Sequence, residues 1–438
     1  MPSPTPARTP APKAPKPPSP RTGLLLTGGG ARAAYQMGVL EAIADLRQAC
    51  GAGREPNPFP IITGTSAGAI NAAALACGAD DFDRTVRRIA RVWRQFHAHQ
   101  VYGADSLSVM RSGARWLTLV SLGWALARWR RLRPRSLLDN APLEKLLAKM
   151  VPLMRLPRLI QKGHLTALAV TASSYSSGEH VTFYESAQDV TPWVRSQRKA
   201  TRDRITHEHL LASSAIPFVF PAKGITIDGH TEYFGDGSMR QSAPIAAAIH
   251  LGAERVLVIG AGRMHEPRGD RTAPPSPSYP SLAQIAGHAL SNIFLDALSV
   301  DVERVQRINQ TLSLIPEEKR THSALRPVEL LVIAPSQRLD AIAARHVGDL
   351  PGPVRTMLGA LGVTSNMADV RGAALASYLL FEQGYTQELM ALGRADTLAR
   401  RADVCRFFGW KDTGAALRTQ ISAWMYSMMW PMWKLPLA

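Results

Sequence analysis

The sequence predicts an α/β protein with a mostly parallel central sheet. Two short apolar runs, "GLLLT" at 23–27 and "PFPIITGT" at 58–65, are each followed by a segment with apolar side chains at helical spacing. Successive strand-turn-helix units are typical of a parallel sheet with helices on its faces. A further apolar run, "RVLVIGAG" at 255–262, predicts another buried strand. With 438 residues and 46% apolar content, the chain can bury such a core.

The order of these segments predicts three regions. Residues 1–22 are rich in proline and basic residues and lack an apolar segment, so we expect a disordered cationic tail rather than a secretion signal. Residues 23–262 hold most strand signals, and the basic stretch at 80–154 within them is expected to form a helical insertion or cap. Residues 263–438 combine one strand signal with helical patterns, which predicts a mainly helical C-terminal extension.

The formal net charge of +17 favours contact with polyanions such as an anionic membrane surface. Segments 115–135 and 424–438 combine tryptophans with basic residues, as interfacial segments do, although packed helices show the same pattern. No apolar run reaches the roughly 18 residues of a spanning helix. Charge without a recognition fold is generic, so no nucleic-acid partner is expected.

The cysteines predict the compartment. Cys50, Cys77 and Cys405 are isolated and odd in number, which indicates neither a disulfide framework nor a zinc site. A reducing compartment is the simpler interpretation. We expect a cytoplasmic protein with peripheral contact at the inner membrane surface. The sequence does not predict an oligomeric state.

A serine lies in a glycine-flanked turn between the second apolar strand and its helix. The segment "GTSAG" matches G-x-S-x-G, with Ser66 between Gly64 and Gly68. Such a turn keeps other side chains away and exposes the serine Oγ at the carboxyl end of the strand. The helix that begins there favours developing negative charge. The context predicts a nucleophile, although the motif alone also fits an ordinary turn.

A serine nucleophile needs a base, and the sequence offers more than one. Histidine is the usual base, and His288 and His346 follow Ser66 in a suitable chain order, although both also fit ordinary helical residues. Asp236 lies in the glycine-flanked turn "GDGS", a pattern that is also common in tight turns and helix caps. The "HEH" segment at 207–209 lacks the spacing of a metal site, so no metal is predicted.

Gly28, Gly29 and Gly30 follow the first apolar strand directly. They match part of the dinucleotide fingerprint, but the second strand ends in the Ser66 turn instead of the acidic residue that would bind ribose. No Gly-Lys-Ser/Thr follows, which excludes a P-loop. What remains is a set of backbone N–H groups at a helix N-terminus, which suits any anion, including the oxyanion of an acyl-transfer intermediate.

In this order and spacing, "GGGARA", "GTSAG" and "GDGS" resemble the patatin-like phospholipase family. The resemblance covers residues 23–252 and is strengthened by the longer matches "GTSAGAINAA" and "ASSAIPFVFPA". The segment "ASYLLFEQGYTQELMALG" is similar to the C-terminal extension of a bacterial subgroup. The resemblance implies a three-layer α/β/α fold, with residues 23–262 as the hydrolase domain.

The resemblance also implies a Ser-Asp dyad, with Ser66 as the nucleophile and Asp236 as the general base. No metal or organic cofactor is implied. The oxyanion hole that it implies comprises Gly28, Gly29, Gly30 and Arg32. Ala33 departs from the longer glycine motif, and Ser238 stands where the family usually has glycine or alanine.

An aspartate with an ordinary pKa of about 3.9 is a poor base for a serine hydroxyl at neutral pH, so the dyad requires that Asp236 be buried. We therefore expect a lipid acyl hydrolase of the phospholipase A or lysophospholipase type, acting on phospholipid or lysophospholipid through an acyl-enzyme. Two alternatives stay open at this stage. One is a catalytically weak, membrane-associated lipid-binding protein, and the other is a general esterase with a Ser-His-Asp triad.

Overall fold

A computed structural model of the chain describes residues 20–103, 136–264, 281–292, 297–320, 323, 325–363 and 373–412. The membrane-surface candidates at 115–135 and 424–438 lie outside these residues, as does most of the tail at 1–22. The insertion expected at 80–154 is described in part. No helix among the described residues is long and apolar enough to cross a membrane.

Strands of the described chain join in one mixed sheet. Their bounds are β1 Thr22–Leu26, β2 Ile61–Thr65, β3 Ala167–Ser174, β4 His180–Ser186, β5 Val194–Arg195, β6 Arg198–Arg202, β7 Lys223–Ile227, β8 His230–Asp236, β9 Arg255–Ile259 and β10 Glu329–Ile333. The order is β10-β9-β1-β2-β3-β4-β6-β5, and β8 pairs with both β3 and β7. Strands β10, β9, β1, β2 and β3 are mutually parallel, so their carboxyl ends share one edge.

Helices cover both faces of this sheet. Their bounds are α1 Ala34–Ala49, α2 Ala67–Ala76, α3 Phe82–Arg94, α4 Ala141–Met150, α5 Leu156–Gln161, α6 His207–Ser213, α7 Ala246–His250, α8 Leu282–Ser291, α9 Ala297–Ser313, α10 Glu317–Arg320, α11 Leu339–His346, α12 Gly352–Ala360, α13 Ala373–Leu379, α14 Gln383–Ala399 and α15 Arg401–Phe408.

Alternation along β1 shows how the sheet separates two cores. Leu24 and Leu26 belong to the larger core, and Leu25 belongs to the smaller core on the opposite face. Successive side chains of a strand point to opposite faces, and burial on both faces explains the continuous apolar run. The predicted α/β class, the mostly parallel sheet and the helical C-terminal region are confirmed.

The C-terminal region shares the larger core with the preceding region. Strand β10 completes the sheet beside β9. Helix α14 packs along α1, where the Tyr35 hydroxyl donates a hydrogen bond of 2.9 Å to Asp396 Oδ2. The domain boundary predicted at residue 262 stays a prediction. The residues before and after it share one sheet and one core.

Candidate active site

Ser66 lies at the turn between β2 and α2. Its backbone has φ 56° and ψ −133°, a positive φ that is uncommon outside glycine. Gly64, two residues earlier, pairs with Leu26 in the sheet. Gly68 lies so close to β1 that an added Cβ would be 2.3 Å from the Leu26 carbonyl oxygen. The glycine therefore lets the first turn of α2 pack directly against the end of β1.

Asp236, the last residue of β8, lies against Ser66. The Ser66 hydroxyl donates a hydrogen bond of 2.6 Å to Asp236 Oδ2, and both side chains are buried. Asp236 Oδ1 accepts a hydrogen bond of 2.9 Å from the Ser238 backbone N–H. The Asp236 backbone N–H donates to the Ala215 carbonyl, also at 2.9 Å. The carboxylate is thus fixed on both oxygens, and Ser238 takes part through its backbone, which any residue except proline provides.

The environment of Asp236 changes its acidity. Its side chain is fully buried, and burial raises its pKa to about 6. Hydrogen bonds from Ser66 and Ser238 lower the pKa and partly offset this effect. Burial was the condition that the sequence left open for a Ser-Asp dyad. With a pKa near 6, Asp236 is a stronger proton acceptor than an ordinary carboxylate and is still ionised at neutral pH.

Ser213, the last residue of α6, supports the serine turn. Its hydroxyl accepts a hydrogen bond of 2.9 Å from the Ser66 backbone N–H and donates one of 2.6 Å to the Thr171 carbonyl. These contacts connect the turn to α6 and β3. Ser213 lies in the "ASSAIPFVFPA" segment, in which no local pattern indicates this role.

The glycine loop lies between β1 and a short 3-10 turn, Gly30–Ala33. Gly28, Gly29 and Gly30 are buried. Their backbone N–H groups donate to no acceptor among the described residues. Gly30 has φ +55°, and an added Cβ would be 2.3 Å from the Tyr378 carbonyl oxygen. The loop therefore combines unused amide donors with a backbone conformation that suits glycine.

Arg32 follows this loop, and its side chain points to helix α13. Its Nε donates a hydrogen bond of 2.8 Å to Ser377 Oγ. Its guanidinium lies 4.1 Å from the centre of the Tyr378 ring, a cation-π contact. Arg32 is buried. These contacts favour bracing of the loop over direct contact with an oxyanion.

A buried hydrogen-bond network also holds the loop to its neighbours. Gln36 on α1 donates to the Thr27 carbonyl at 2.7 Å. Asn71 on α2 donates to the Gln36 side-chain oxygen at 3.0 Å and accepts a hydrogen bond from the Trp93 indole at 2.9 Å. Buried polar groups that are satisfied in this way fix the relative positions of their elements. The network therefore joins the loop to α2 and α3.

An apolar pocket opens beside Ser66. It runs along α2, where Ser66, Ile70 and Ala74 lie on one face at four-residue spacing. Helices α3 and α4 supply most of the opposite wall, and Phe381 contributes from the C-terminal region. The described part of the basic stretch at 80–154 therefore contributes to the pocket wall.

His180 lies nearest to the dyad, where its Nε2 is 3.0 Å from the Gly237 carbonyl oxygen, and the histidines that the sequence suggested lie elsewhere. No described histidine makes a hydrogen bond with Ser66 or Asp236. His346 lies between Asp349 and Glu388, at 2.9 and 2.8 Å, and His288 is exposed on α8. The contacts of the remaining candidate segment, 207–209, are structural, since His209 accepts the N-terminal hydrogen bond of its own helix from Thr206.

A family model described as Patatin-like phospholipase matches residues 24–249. Since this match covers more than half of the chain, the protein belongs to the patatin-like phospholipase family. Family membership supports a hydrolase that acts on lipid. No curated protein matches the sequence.

The solved structures that the chain matches include VipD from Legionella pneumophila, with 14% identity and a TM-score of 0.33 over 85% of this chain and 67% of that chain. Human GIVD cytosolic phospholipase A2 has 11% identity and a TM-score of 0.42, over 90% of this chain and 63% of that chain. The type III effector protein ExoU has 15% identity and a TM-score of 0.25, over 83% and 77%. The chain therefore spans about two thirds of the first two proteins.

Proposed function

We propose that this protein is a lipid acyl hydrolase in which Ser66 is the nucleophile and Asp236 is the general base. The observation that carries the proposal is the hydrogen bond of 2.6 Å between their side chains in a buried site. The raised pKa of Asp236, the strained serine turn and the unused amides of the glycine loop support it.

In the proposed reaction, Ser66 Oγ attacks the ester carbonyl while its proton passes to Asp236 Oδ2. The negative charge that develops on the carbonyl oxygen is stabilised by backbone N–H groups of the glycine loop, Gly28–Gly30, and by the N-terminus of α2. Asp236 then donates the proton to the departing alcohol, which leaves an acyl group on Ser66. Water attacks this acyl-enzyme while Asp236 accepts a proton from the water. The bond between the acyl carbon and Ser66 Oγ then breaks, the carboxylic acid leaves, and Oγ takes the proton back from Asp236.

The proposed substrate is a phospholipid or lysophospholipid. The apolar pocket beside Ser66 suits an acyl chain, because such a chain gains about 0.8 kcal/mol for each CH₂ group removed from water. In this proposal, residues 23–262 supply the dyad and the glycine loop. Residues 263–438 supply Phe381 in the pocket wall and the helix that contacts Arg32.

Hydrolysis of lysophosphatidylcholine and of a palmitoyl nitrophenyl ester, together with fluorophosphonate labelling, tests the proposal. We expect labelling of the wild-type protein and none of Ser66→Ala. We expect turnover to fall by at least about 10³-fold in both Ser66→Ala and Asp236→Asn, as in other catalytic units. His346→Ala and His288→Ala are the controls and should retain activity.

Full activity of Asp236→Asn together with loss in a histidine variant would contradict the dyad and favour a Ser-His-Asp triad. A folded wild-type protein that binds lipid vesicles, yet neither labels nor hydrolyses any ester, would favour the lipid-binding alternative. Circular dichroism of each variant separates loss of chemistry from loss of fold.

A further inference from the structure

A second cavity lies on the opposite face of the sheet from the apolar pocket. Strands β4, β5 and β6 and helices α7 and α9 surround it. The cations that line it are Arg195, Arg198, Lys199, Arg304 and Arg326. Asp301 is the single carboxylate that lines it in the described part of the chain. We call this space the cationic cavity.

Strand pairing places like charges face to face in the cationic cavity. Arg195 on β5 is the direct partner of Arg198 on β6, and Arg198 is in turn the partner of His180 on β4. Directly opposed side chains lie on the same face with Cβ atoms about 5 Å apart, and like charges at such positions destabilise a sheet. An anion bound between the two arginines would remove this repulsion.

Two other cations of the cavity are paired with carboxylates. Lys199 is ion-paired with Glu179 at 3.3 Å, and Arg304 is ion-paired with Asp301 at 3.0 Å. The guanidinium of Arg198, by contrast, has no hydrogen bond or ion pair with any described residue. Arg195 donates only to the Val194 carbonyl, and Arg326 only to the carbonyls of Ile249 and Ala253. Two of the three cations without an ion pair among the described residues therefore lie on the β5–β6 hairpin.

An aromatic wall lies beside this hairpin. The Trp193 indole stacks on the His250 ring, with centroids 4.5 Å apart and planes 14° from parallel. Burial lowers the pKa of His250, and the charges of Arg195, Arg198 and Arg326 lower it further. The direction of this pKa shift agrees with the excess of cations over carboxylates in the lining of the cavity.

We propose that the cationic cavity binds a phosphate-bearing anion, with its phosphoryl oxygens bridging Arg195 and Arg198. Arginine is suited to this role because its planar guanidinium donates two parallel hydrogen bonds to phosphate. The phosphate belongs either to a lipid headgroup or to a soluble phosphoester. This site is separate from the serine pocket and does not depend on the proposed hydrolase activity.

Calorimetric titration of the full-length protein with inorganic phosphate, against sodium chloride of the same ionic strength, tests the site. We expect saturable binding that Arg195→Gln and Arg198→Gln each weaken at least about tenfold, as expected for loss of a charge-assisted pair. Arg158→Gln is the matched control, because it removes an exposed cation that does not line the cationic cavity, and binding should stay within about twofold.

Thermal unfolding gives a second measurement that does not depend on a binding signal. Phosphate should raise the melting temperature of the wild-type protein and of Arg158→Gln, but not that of the double variant Arg195→Gln/Arg198→Gln. Without phosphate, the double variant should unfold at or above the wild-type temperature, because the repulsion is gone. Phosphate binding by the double variant as tight as that of the wild type would overturn the proposal, and so would the absence of saturable wild-type binding.

The source of the phosphate is distinguished in a Ser66→Ala background, which prevents hydrolysis of the lipid. Stronger Arg198-dependent binding to phosphatidylcholine vesicles that contain phosphatidic acid than to glycerol 3-phosphate supports a lipid headgroup. Equal or stronger Arg198-dependent binding of glycerol 3-phosphate supports a soluble phosphoester.

Discussion

The Nε of Arg32 donates a hydrogen bond to the Oγ of Ser377, a residue 345 positions further along the chain. This bond, with the stacking of the guanidinium on Tyr378, joins the glycine loop to helix α13. The Arg32 side chain makes both contacts with α13 and so fixes the position of the glycine-loop backbone. The loss of activity caused by a change at Arg32 should therefore depend on whether Ser377 is present.

We predict that Arg32→Lys and Ser377→Ala each lower kcat by about tenfold, and that the double variant is little worse than either single variant. Lysine keeps the charge but loses the planar guanidinium that makes both contacts. A double-mutant cycle on kcat measures this coupling. Independent, additive losses, or a loss in Arg32→Lys far larger than in Ser377→Ala, would instead support direct contact between Arg32 and the oxyanion.

The pH dependence of hydrolysis should reflect the raised pKa of Asp236, about 6. A general base acts when it is deprotonated, so kcat/KM should rise with pH through about 6 and level off near pH 7. An ordinary aspartate would give a plateau already near pH 5. The residual rate of Asp236→Asn should lack this step. A wild-type profile that is flat between pH 5 and 7 would contradict the assignment.

The raised pKa of Asp236 also predicts how the stability of the wild type and that of Asp236→Asn differ with pH. Because the pKa of Asp236 is raised in the folded state, folding favours the protonated carboxyl. The resulting contribution to the free energy of unfolding is present in full below about pH 4. It is lost as pH rises through about 6. Asp236→Asn should therefore gain stability relative to the wild type across that window, because asparagine can bond to Ser66 and Ser238 without a buried charge. Urea unfolding at pH 4 and pH 8 measures this change, and an opposite trend would contradict it.

The predictions made from the sequence agree best with the structure where a short local motif carries them. The positive φ of Ser66 follows from its glycine-flanked turn, which the motif indicates directly. The contact between Ser66 and Asp236 spans 170 residues and was implied by family resemblance, since no local pattern specifies it. Asp236 becomes a base through burial, and burial depends on tertiary packing that the "GDGS" segment does not encode.

The role of the C-terminal region could not be predicted for the same reason. Ser377 and Phe381 lie in a segment whose sequence indicates only a helix. Their positions beside the glycine loop and in the pocket wall result from packing of α13 on the Gly30–Ala33 turn and of α14 on α1. Likewise, Arg195 and Arg198 face each other because of the strand register. The sequence of this short hairpin has no clear alternation of apolar and polar residues from which the register could be predicted.

Ser213 should act as a positioning residue. Its hydroxyl accepts the Ser66 N–H, so Ser213→Ala leaves a buried donor without its partner and loosens the turn. We predict that kcat falls by about tenfold while KM is unchanged. Ser173→Ala on β3 is the matched control, because the Ser173 hydroxyl is buried and has no hydrogen-bond partner among the described residues. Equal effects of the two substitutions would indicate a general packing defect instead.

The length of the apolar pocket should determine which acyl chains are hydrolysed. Ala74 lies two turns beyond Ser66 on the face of α2 that lines the pocket, about 12 Å along the helix axis. Ala74→Leu places extra atoms at this depth, and overpacking of this kind costs about 1–3 kcal/mol. A palmitoyl chain would meet the new side chain, whereas a butyryl chain would end before it. We therefore expect kcat/KM for a palmitoyl nitrophenyl ester to fall at least about tenfold, with the butyryl ester within about twofold as the internal control. Equal losses for the two esters would point to damage at the dyad, and no loss for either would place the acyl chain elsewhere.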